Sequence, residues 1–525
     1  MTVLQDWIVH KVLADAAAKY PDKPFLFCNG QSIRYRELDE ITDVLASALL
    51  QEGFTKGDTI AILALNQIEW IYTYFAAAKI GVGVVALNVR YRGTELQYML
   101  NNSKAKGIVS ISGYKGFNFS SFFENYQEKV PTVKKYFFIE AGFEGSLSFE
   151  DLLNRPIEKG RLEDSKKSVK GNDTVIVIYT SGTTGKPKGT MITNRSILES
   201  AKAQAEHLSF GENDCAVGNL PLNHVGGITC TVHALLLSFG SIVLIPEFIP
   251  ETVLQAIHQV KPTIFAGVPT MFLMVLNHKD IDKYDLNSIK ICIAGGSNVD
   301  PNQCEMIQFH FPNAKIINLY GLSETSGACI LTKLTDSLEK VQESIGVPIG
   351  DFKIKIVDSQ LNEVPNGEVG EITVKGNCRA TGYYGLDEES KLAFSDDGWL
   401  YTGDIGYLDH EGYVYLKGRK KEMYIQGGYN VYPTEVENIL MTHAKVSFAA
   451  GIGVPDPFLG EVGLYYIIPK EGASISEEEI KSFCRQNLAD YKVPRQIVFV
   501  KKLPQTPAGK IQKSVLKQEY MKQLQ

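Results

Sequence analysis

The stretch YTSGTTGKPKG, Tyr179 to Gly189, follows the apolar run TVIVI and holds three glycines, two lysines and four threonine or serine hydroxyls. Gly182, Gly185 and Gly189 let a backbone approach a ligand closely, and Thr180, Ser181, Thr183 and Thr184 offer hydroxyl donors. With Lys186 as a cation, this is the composition of a loop that holds a polyphosphate. It is not a Walker loop. Gly182 and Gly185 are too close together, and Lys186 is followed by Pro187, which has neither a hydroxyl nor a backbone donor. The lack of large side chains suits a flap that closes over a nucleotide. A short Gly/Thr surface turn would share this composition, but the length of the string argues against that.

Six further stretches carry groups able to do chemistry: NLPLNHVGG (219–227), AGG (294–296), NLYGLSET (318–325), YTGD (401–404), GRKKEMYIQGGYNVYPTEVE (418–437) and PQTPAGKIQK (504–513). Taken singly, each has a structural reading. A lone histidine such as His224 is often a hydrogen-bonded core residue. Tyr320 at a strand end can be a core aromatic, an Asp in TGD is a common turn residue, and Lys510 lies in a lysine-rich tail.

The elements around them explain their placement. Between about 174 and 320, short β-rich runs (TVIVIYT, SIVLI, TIFAG, IKICIA, KIINLY) alternate with helical patterns such as NRSILESAKAQAEHL and ETVLQAIHQV. That alternation predicts a parallel sheet covered by helices, with ligands outside the carboxyl ends of its strands. TIAILAL, GVGVVAL and GIVSIS in the first 170 residues predict a second sheet of the same kind. Past 345, FKIKIVD, EVGEITVKG and GYVYLKG, separated by PNG and HEG turns, read as an antiparallel unit. GRKKEMYIQGGYN reads as a linker into a small α+β module at about 420–525. The fold class is therefore α/β: a large N-terminal domain of parallel α/β sheets plus an antiparallel β unit, then a small α+β C-terminal domain.

A chain of 525 residues requires more than one core. Its net charge of −7 gives no footprint for nucleic acid. The eight cysteines form no CxxC pair, which suits neither a zinc site nor a disulfide framework and points to a reduced compartment. No charged start with an apolar signal core appears, no apolar run reaches the ~18 residues of a membrane span, and the ending KQLQ is no peroxisomal address. A cytoplasmic protein is the expectation.

The string from Tyr179 to Gly189 resembles the phosphate loop of the adenylate-forming superfamily: acyl-CoA synthetases, adenylation domains of peptide synthetases and beetle luciferases. The six other stretches resemble the remaining segments of that family in the family's order, so the resemblance covers nearly the whole chain. It implies ATP, Mg2+ and coenzyme A as ligands. It also implies two steps at one site: formation of an acyl-AMP with release of pyrophosphate, then transfer of the acyl group to a thiol. By this resemblance Lys510 is the catalytic lysine, Glu324 the magnesium ligand and His224 the histidine at the carboxylate. Thr180, Ser181, Gly182, Thr183, Thr184, Gly185 and Lys186 hold the phosphates. Gly295, Gly296, Tyr320 and Gly321 meet adenine. Ser323, where the family usually has threonine, keeps the hydroxyl and loses the methyl. Asp404 and Arg419 clamp the ribose. The resemblance places domains at 1–419 and 420–525 with a hinge near Lys421. It makes the C-terminal domain mobile, rotating Lys510 out between half-reactions and bringing Gly427 and Gly428 in to line a pantetheine channel.

Amino-acid-activating relatives usually carry an Asp in the region of HVGGIT, whereas Val225, Gly226, Gly227 and Ile228 carry no charge. An uncharged acid is favoured, with Gly226 and Gly227 leaving room for a chain or ring and Gly267, Val268 and Met271 forming an apolar wall. The reading is an acid–CoA ligase for a medium- or long-chain fatty acid. The alternatives are an aromatic acid, or a ligase loading an acyl carrier protein. Some long-chain synthetases of the family this chain resembles have a tryptophan gate near Ile228, and its absence here weakens a long-chain assignment. No carrier domain follows Lys510, so a stand-alone enzyme using free coenzyme A is expected, and a homodimer is compatible with the sequence. A silent ATP sensor on the same fold would be told apart by ATP–pyrophosphate exchange. Retention of Lys510, Glu324 and Asp404 argues against it.

Overall fold

The computed structural model describes residues 6–180, 187–296, 301–505 and 511–523. Two large sheets dominate. The first has nine strands in the order Val347–Pro348, Gly327–Leu331, Lys315–Leu322, Ile291–Gly295, Ile264–Gly267, Cys215–Gly218, Ser241–Leu244, Pro24–Cys28 and Gln31–Arg34. The six strands from Lys315–Leu322 to Pro24–Cys28 run parallel, and the outer pairings are antiparallel. The second has seven strands: Lys188–Thr193, Thr174–Thr180, Gly83–Leu87, Thr59–Leu63, Gly107–Ser110, Lys135–Phe138 and Leu147–Ser148. Every residue of Thr59–Leu63 and Gly83–Leu87 is buried, as expected of central parallel strands covered on both faces.

One expectation is corrected. Thr174–Thr180 does not begin the same sheet as the strands that follow it. It pairs in parallel with Gly83–Leu87, Ile176 opposite Val84, and antiparallel with Lys188–Thr193. Conversely, Pro24–Cys28 joins the later sheet beside Ser241–Leu244, Leu26 opposite Ile242. The two sheets thus exchange strands across the sequence; buried residues of both share one large core, and the other face of the nine-stranded sheet carries a second cluster with Val217, Val243 and Phe265.

Helices pack where their sequence signals place them. Thr193 caps Asn194–His207 by accepting the Ser196 amide through Oγ1 at 3.1 Å, and Ile197, Leu198, Ala201 and Ala205 form its buried face. Ile68–Lys79 is buried on almost every side. Even Lys79 is 1% exposed, and its ammonium meets Asp39 at 2.7 Å and Asp43 at 2.5 Å on the neighbouring helix Tyr35–Gln51. A buried cation is tolerable only when paired in this way.

Lys353–Val357, Gly370–Lys375, Trp399–Leu408 and Val414–Arg419 form the antiparallel unit. The segment after it, read from sequence as a linker, is not irregular. Tyr424–Gln426 and Tyr429–Val431 form a hairpin whose turn, Gly427 and Gly428, has φ of 58° and 88°. Two successive positive φ values are what a tight two-residue hairpin demands, and glycine supplies them. This hairpin opens a five-stranded sheet with Val446–Asp456, Gly460–Pro469 and Gln496–Phe499, backed by Pro433–Met441, Glu477–Asn487 and Lys513–Gln523. Residues from Tyr424 to Leu516 supply two hydrophobic clusters of their own. Among the described residues, no helix is long and apolar enough to cross a membrane.

Candidate active site

Three of the stretches, NLPLNHVGG, AGG and NLYGLSET, lie at the carboxyl ends of parallel strands of the nine-stranded sheet, whereas YTGD lies in the antiparallel unit. Ser181 through Lys186, and Lys510, lie outside the described residues. Thr180, the last residue of its strand, stands opposite Lys188 in the ladder.

The tightest cluster is built on Asp404. It lies within Trp399–Leu408, directly across the ladder from Arg419, the last residue of its own strand. That register sets Arg419 Nε 2.9 Å from Asp404 Oδ1. On the other side the hydroxyl of Tyr320 donates to Asp404 Oδ2 at 2.7 Å. Asp404 and Tyr320 are both buried, while Arg419 keeps part of its side chain open to solvent. The carboxylate raises the pKa of Arg419, and burial followed by the same carboxylate raises that of Tyr320, so both stay donors. Each Asp404 oxygen accepts one bond here and retains a second lone pair, so a pair of vicinal hydroxyls can still be received. Tyr320 is therefore fixed through its hydroxyl to the same carboxylate, a link its spacing in the sequence does not reveal.

A second cluster is built on Glu324. The one-turn helix Ser323–Thr325 follows the strand Lys315–Leu322, and Glu324 Oε1 accepts the hydroxyl of Tyr383 at 2.9 Å. The chain near Tyr383 is pinned beside Lys188–Thr193: Tyr384 N donates to Gly189 O at 2.7 Å, Thr381 N to Met191 O at 3.0 Å, and Ala380 N to Glu324 O at 2.9 Å. The Lys188 ammonium stands 4.9 Å from the centre of the Tyr383 ring. Burial, reinforced by Glu324, raises the pKa of Tyr383 and keeps it a donor. Neither Tyr383 nor Lys188 was assigned a role by sequence. Lys188 lies within the opening string itself, whereas Tyr383 has no spacing that marks it.

Glycines play several parts. A Cβ on Gly321 would lie 2.1 Å from Gly327 O, so Gly321 is required by the antiparallel partner strand. Gly295 ends its strand and Gly296 follows with φ of 87°. Gly227 is committed to its own chain: a Cβ there would meet Pro221 O at 2.2 Å, so its missing side chain makes room for backbone and not for a ligand. A Cβ on Gly226 would meet Leu220 Cδ1 at 3.2 Å and His224 Nδ1 at 3.4 Å.

His224 caps the short helix Val225–Gly227, its Nδ1 accepting the Gly226 amide at 3.2 Å. A π-helical turn, Ile228–His233, continues directly from it, a geometry frequent at functional sites. Val225 and Ile228 are buried in the main core, so an acid reaching them would lie inside it. Gly267 ends its strand buried, and Val268 and Met271, at the start of the helix Pro269–Leu276, are half-buried.

Sequence reading also missed Asn66. This buried residue follows Thr59–Leu63 and reaches into the other sheet. Its Nδ2 donates to Gly218 O at 3.3 Å and Leu220 O at 2.9 Å, and its Oδ1 accepts from Leu222 N at 2.9 Å. It holds the stretch that leads to His224.

Beyond Arg419, Lys420 Nζ meets Glu371 Oε2 at 3.0 Å and its amide donates to Gly403 O at 2.9 Å. Desolvation and then the Arg419 guanidinium lower the pKa of Lys421, although its side chain remains open to solvent. Lys513 bridges Glu422 at 2.9 Å and Glu437 at 2.8 Å. Burial opposes its charge, but the two carboxylates outweigh this and raise its pKa. Gly427 and Gly428 stand in the hairpin next to Leu459, with open space where a Cβ on Gly428 would lie.

Among the described residues, no three His, Cys, Asp or Glu side chains are grouped to hold a metal. A metal ion at Glu324 would therefore take most of its oxygens from a ligand and from water, which suits magnesium on phosphates.

Residues 13–384 match the family of AMP-binding enzymes, and residues 435–510 match the C-terminal domain of AMP-binding enzymes. The chain is 32% identical over 533 residues to a long-chain-fatty-acid–CoA ligase of Bacillus subtilis, covering 97% of this chain and 94% of that protein. It is 29% identical over 535 residues to a mitochondrial medium-chain acyl-CoA ligase of Mus musculus, covering 97% and 87%. Its fold is similar to that of an anthranilate–CoA ligase solved with anthranoyl-AMP, with a TM-score of 0.87, 26% identity and 98% of both chains covered.

Proposed function

This chain belongs to the AMP-binding enzyme family and is an AMP-forming acid–thiol ligase that uses ATP and coenzyme A; from that premise we propose that its acid is an uncharged, medium- or long-chain fatty acid. The acid carboxylate attacks the α-phosphorus of ATP, forming an acyl-AMP and releasing pyrophosphate. The thiol of coenzyme A then attacks the acyl carbon and expels AMP.

The observation that carries the reading is the Tyr320–Asp404–Arg419 cluster: a buried carboxylate, held on each oxygen, with lone pairs left for both ribose hydroxyls. In this reading the glycine-rich string from Thr180 to Lys186 grips the phosphates, and Gly295, Gly296 and Gly321 meet adenine. Glu324, held by Tyr383, and Ser323 face the phosphates. Glu324 would hold Mg2+, which when bound neutralises phosphate charge. His224 meets the acid carboxylate. Lys510 joins the incoming carboxylate and the α-phosphate, so the enzyme brings two anions together by position and charge. The uncharged run Val225–Ile228 and the apolar Val268 and Met271 support an acid without a charged tail. The C-terminal domain, from 420 onward, turns about Lys421 between the half-reactions, and Gly427 and Gly428 then line the pantetheine channel. Aromatic acids are the second reading, favoured by the likeness to the anthranilate–CoA ligase.

The test is AMP release across acetate, hexanoate, decanoate, palmitate, benzoate and coumarate, with and without coenzyme A, alongside Lys510→Ala. The expected result is one preferred aliphatic length, a requirement for coenzyme A, and a loss of at least about a hundredfold in the variant. A benzoate or coumarate preference would establish the aromatic reading. Full acyl-AMP formation by Lys510→Ala would refute the role of Lys510.

A further inference from the structure

Asn219 is the first residue after the strand Cys215–Gly218, in the middle of the larger sheet. It is 2% exposed. Its Nδ2 donates to Ala266 O at 3.0 Å and approaches Met271 Sδ at 3.6 Å. Its Oδ1 has no partner among the described residues. A buried acceptor left unmade is costly.

The amide cannot easily turn to relieve itself. Asn66 binds the carbonyls on both sides of it, at Gly218 and Leu220, and the Leu222 amide beyond. The backbone of Asn219 is thereby fixed, and its own amino group is already spent on Ala266. What remains is one preorganised acceptor, buried beside Gly267 and Met271, residues assigned to the acid pocket.

We propose that Asn219 Oδ1 accepts a hydrogen bond from the acid substrate, so that the preferred acid carries an uncharged donor, a hydroxyl or amide N–H, on its chain or ring. This rests on the ligase reading above and narrows its substrate class. A site built to pair a substrate donor discriminates against the analogue that lacks it, because that analogue leaves the protein group unpaired.

The experiment compares matched acids by kcat/KM for AMP release with coenzyme A present: decanoate against its 2-, 3- and 10-hydroxy forms, and benzoate against its three hydroxy forms. Wild type, Asn219→Leu and Asn219→Thr are assayed in parallel, each checked by thermal melting. At least one hydroxylated acid should exceed its parent by about tenfold or more in wild type. Asn219→Leu should abolish that advantage by slowing the hydroxylated acid more than its parent, and leave the KM for ATP unchanged. The wild-type comparison stands even if a variant fails to fold. Parents and hydroxylated acids used equally well by wild type would overturn the proposal while leaving the ligase reading intact. A change in the KM for ATP alone would overturn it in favour of an adenine contact. No AMP release from any acid would overturn the ligase reading itself.

Discussion

Tyr320→Phe isolates one hydroxyl and keeps the ring. The bond it removes is 2.7 Å long, runs between two buried side chains and ends on a carboxylate. Hydrogen bonds to charged groups contribute about 1.5–3 kcal/mol. In the variant Asp404 remains tied to Arg419 through Oδ1, but Oδ2 is released and the carboxylate can rotate about that single anchor. The bond exists before ATP arrives, so part of its loss appears as lower stability and part as a less well placed ribose acceptor. If the whole amount were expressed in binding, kcat/KM for ATP would fall by roughly a hundredfold, since ~1.4 kcal/mol is tenfold. A fall of about tenfold is the expected share, with the KM for the acid unchanged. Tyr320→Leu removes the ring as well and should fall further if the ring stacks on adenine. The assay is initial-rate ATP–pyrophosphate exchange at saturating acid, with circular dichroism to confirm folding. A folded Tyr320→Phe enzyme whose kcat/KM for ATP stays within about twofold of wild type would refute the claim that a held Asp404 receives the ribose.

Three further outcomes follow from the same geometry. Tyr383→Phe takes away the donor on Glu324 and should raise the Mg2+ concentration for half-maximal ATP binding by about tenfold, read by calorimetric titration; an unchanged Mg2+ dependence would detach Tyr383 from the metal. Burial lowers the pKa of His233 to about 3 and of His10 to about 4. Both rings stay neutral in the folded protein while the unfolded chain takes up protons near 6.5. Stability should therefore fall as pH drops from about 6.5 towards 4, by up to about 1.4 kcal/mol per unit for each histidine. Urea midpoints at successive pH values check this, and His10→Gln should flatten the slope. Gly428→Ala places a side chain where φ is 88°, which costs about 1 kcal/mol although nothing lies within 4 Å of the added carbon. Gly428→Asn should fold better yet slow transfer to coenzyme A while sparing acyl-AMP formation, if the glycines line the thiol channel; equal effects on both half-reactions would contradict that role.

Individual elements were legible because their signals are local. Strands such as Thr59–Leu63 and Ile291–Gly295 stand out as β-rich runs between turn residues, and helices such as Asn194–His207 by their apolar face. Which sheet a strand joins was not legible. Ile176 faces Val84 and Leu26 faces Ile242 through pairings that neither neighbourhood records. The hairpin at Gly427 and Gly428 was hidden by its charged surroundings, although a Gly-Gly pair between Tyr424–Gln426 and Tyr429–Val431 is a hairpin signal. In the site, the charged ends of the clusters were found because Glu324, Asp404 and Arg419 sit in motifs. Their neutral supports were not: Tyr383, Asn66 and Asn219 act through contacts with distant backbone or side chains, and residue type alone reads them as packing.

The ionic anchors also give a physical reason for placing the proposed hinge at Lys421. Before it, Arg419 is bound to Asp404, and Lys420 to Glu371 and the Gly403 carbonyl, so the chain up to 420 belongs to the antiparallel unit. After it, Glu422 is bound to Lys513, and Lys513 to Glu437, so the chain from 422 belongs to the C-terminal core. Asp404, Glu371 and Glu437 are the buried members of these pairs, and a buried carboxylate stripped of its cation is unfavourable. A rotation about 419 or 422 would have to carry one of these pairs across the joint. A rotation about Lys421 leaves both sets intact. A hinge at Lys421 would keep the Asp404–Arg419 pair whole on one side and Glu422, Lys513 and Glu437 together on the other; Lys417 and Glu435, 4.0 Å apart, are an ion pair that a turn there would part.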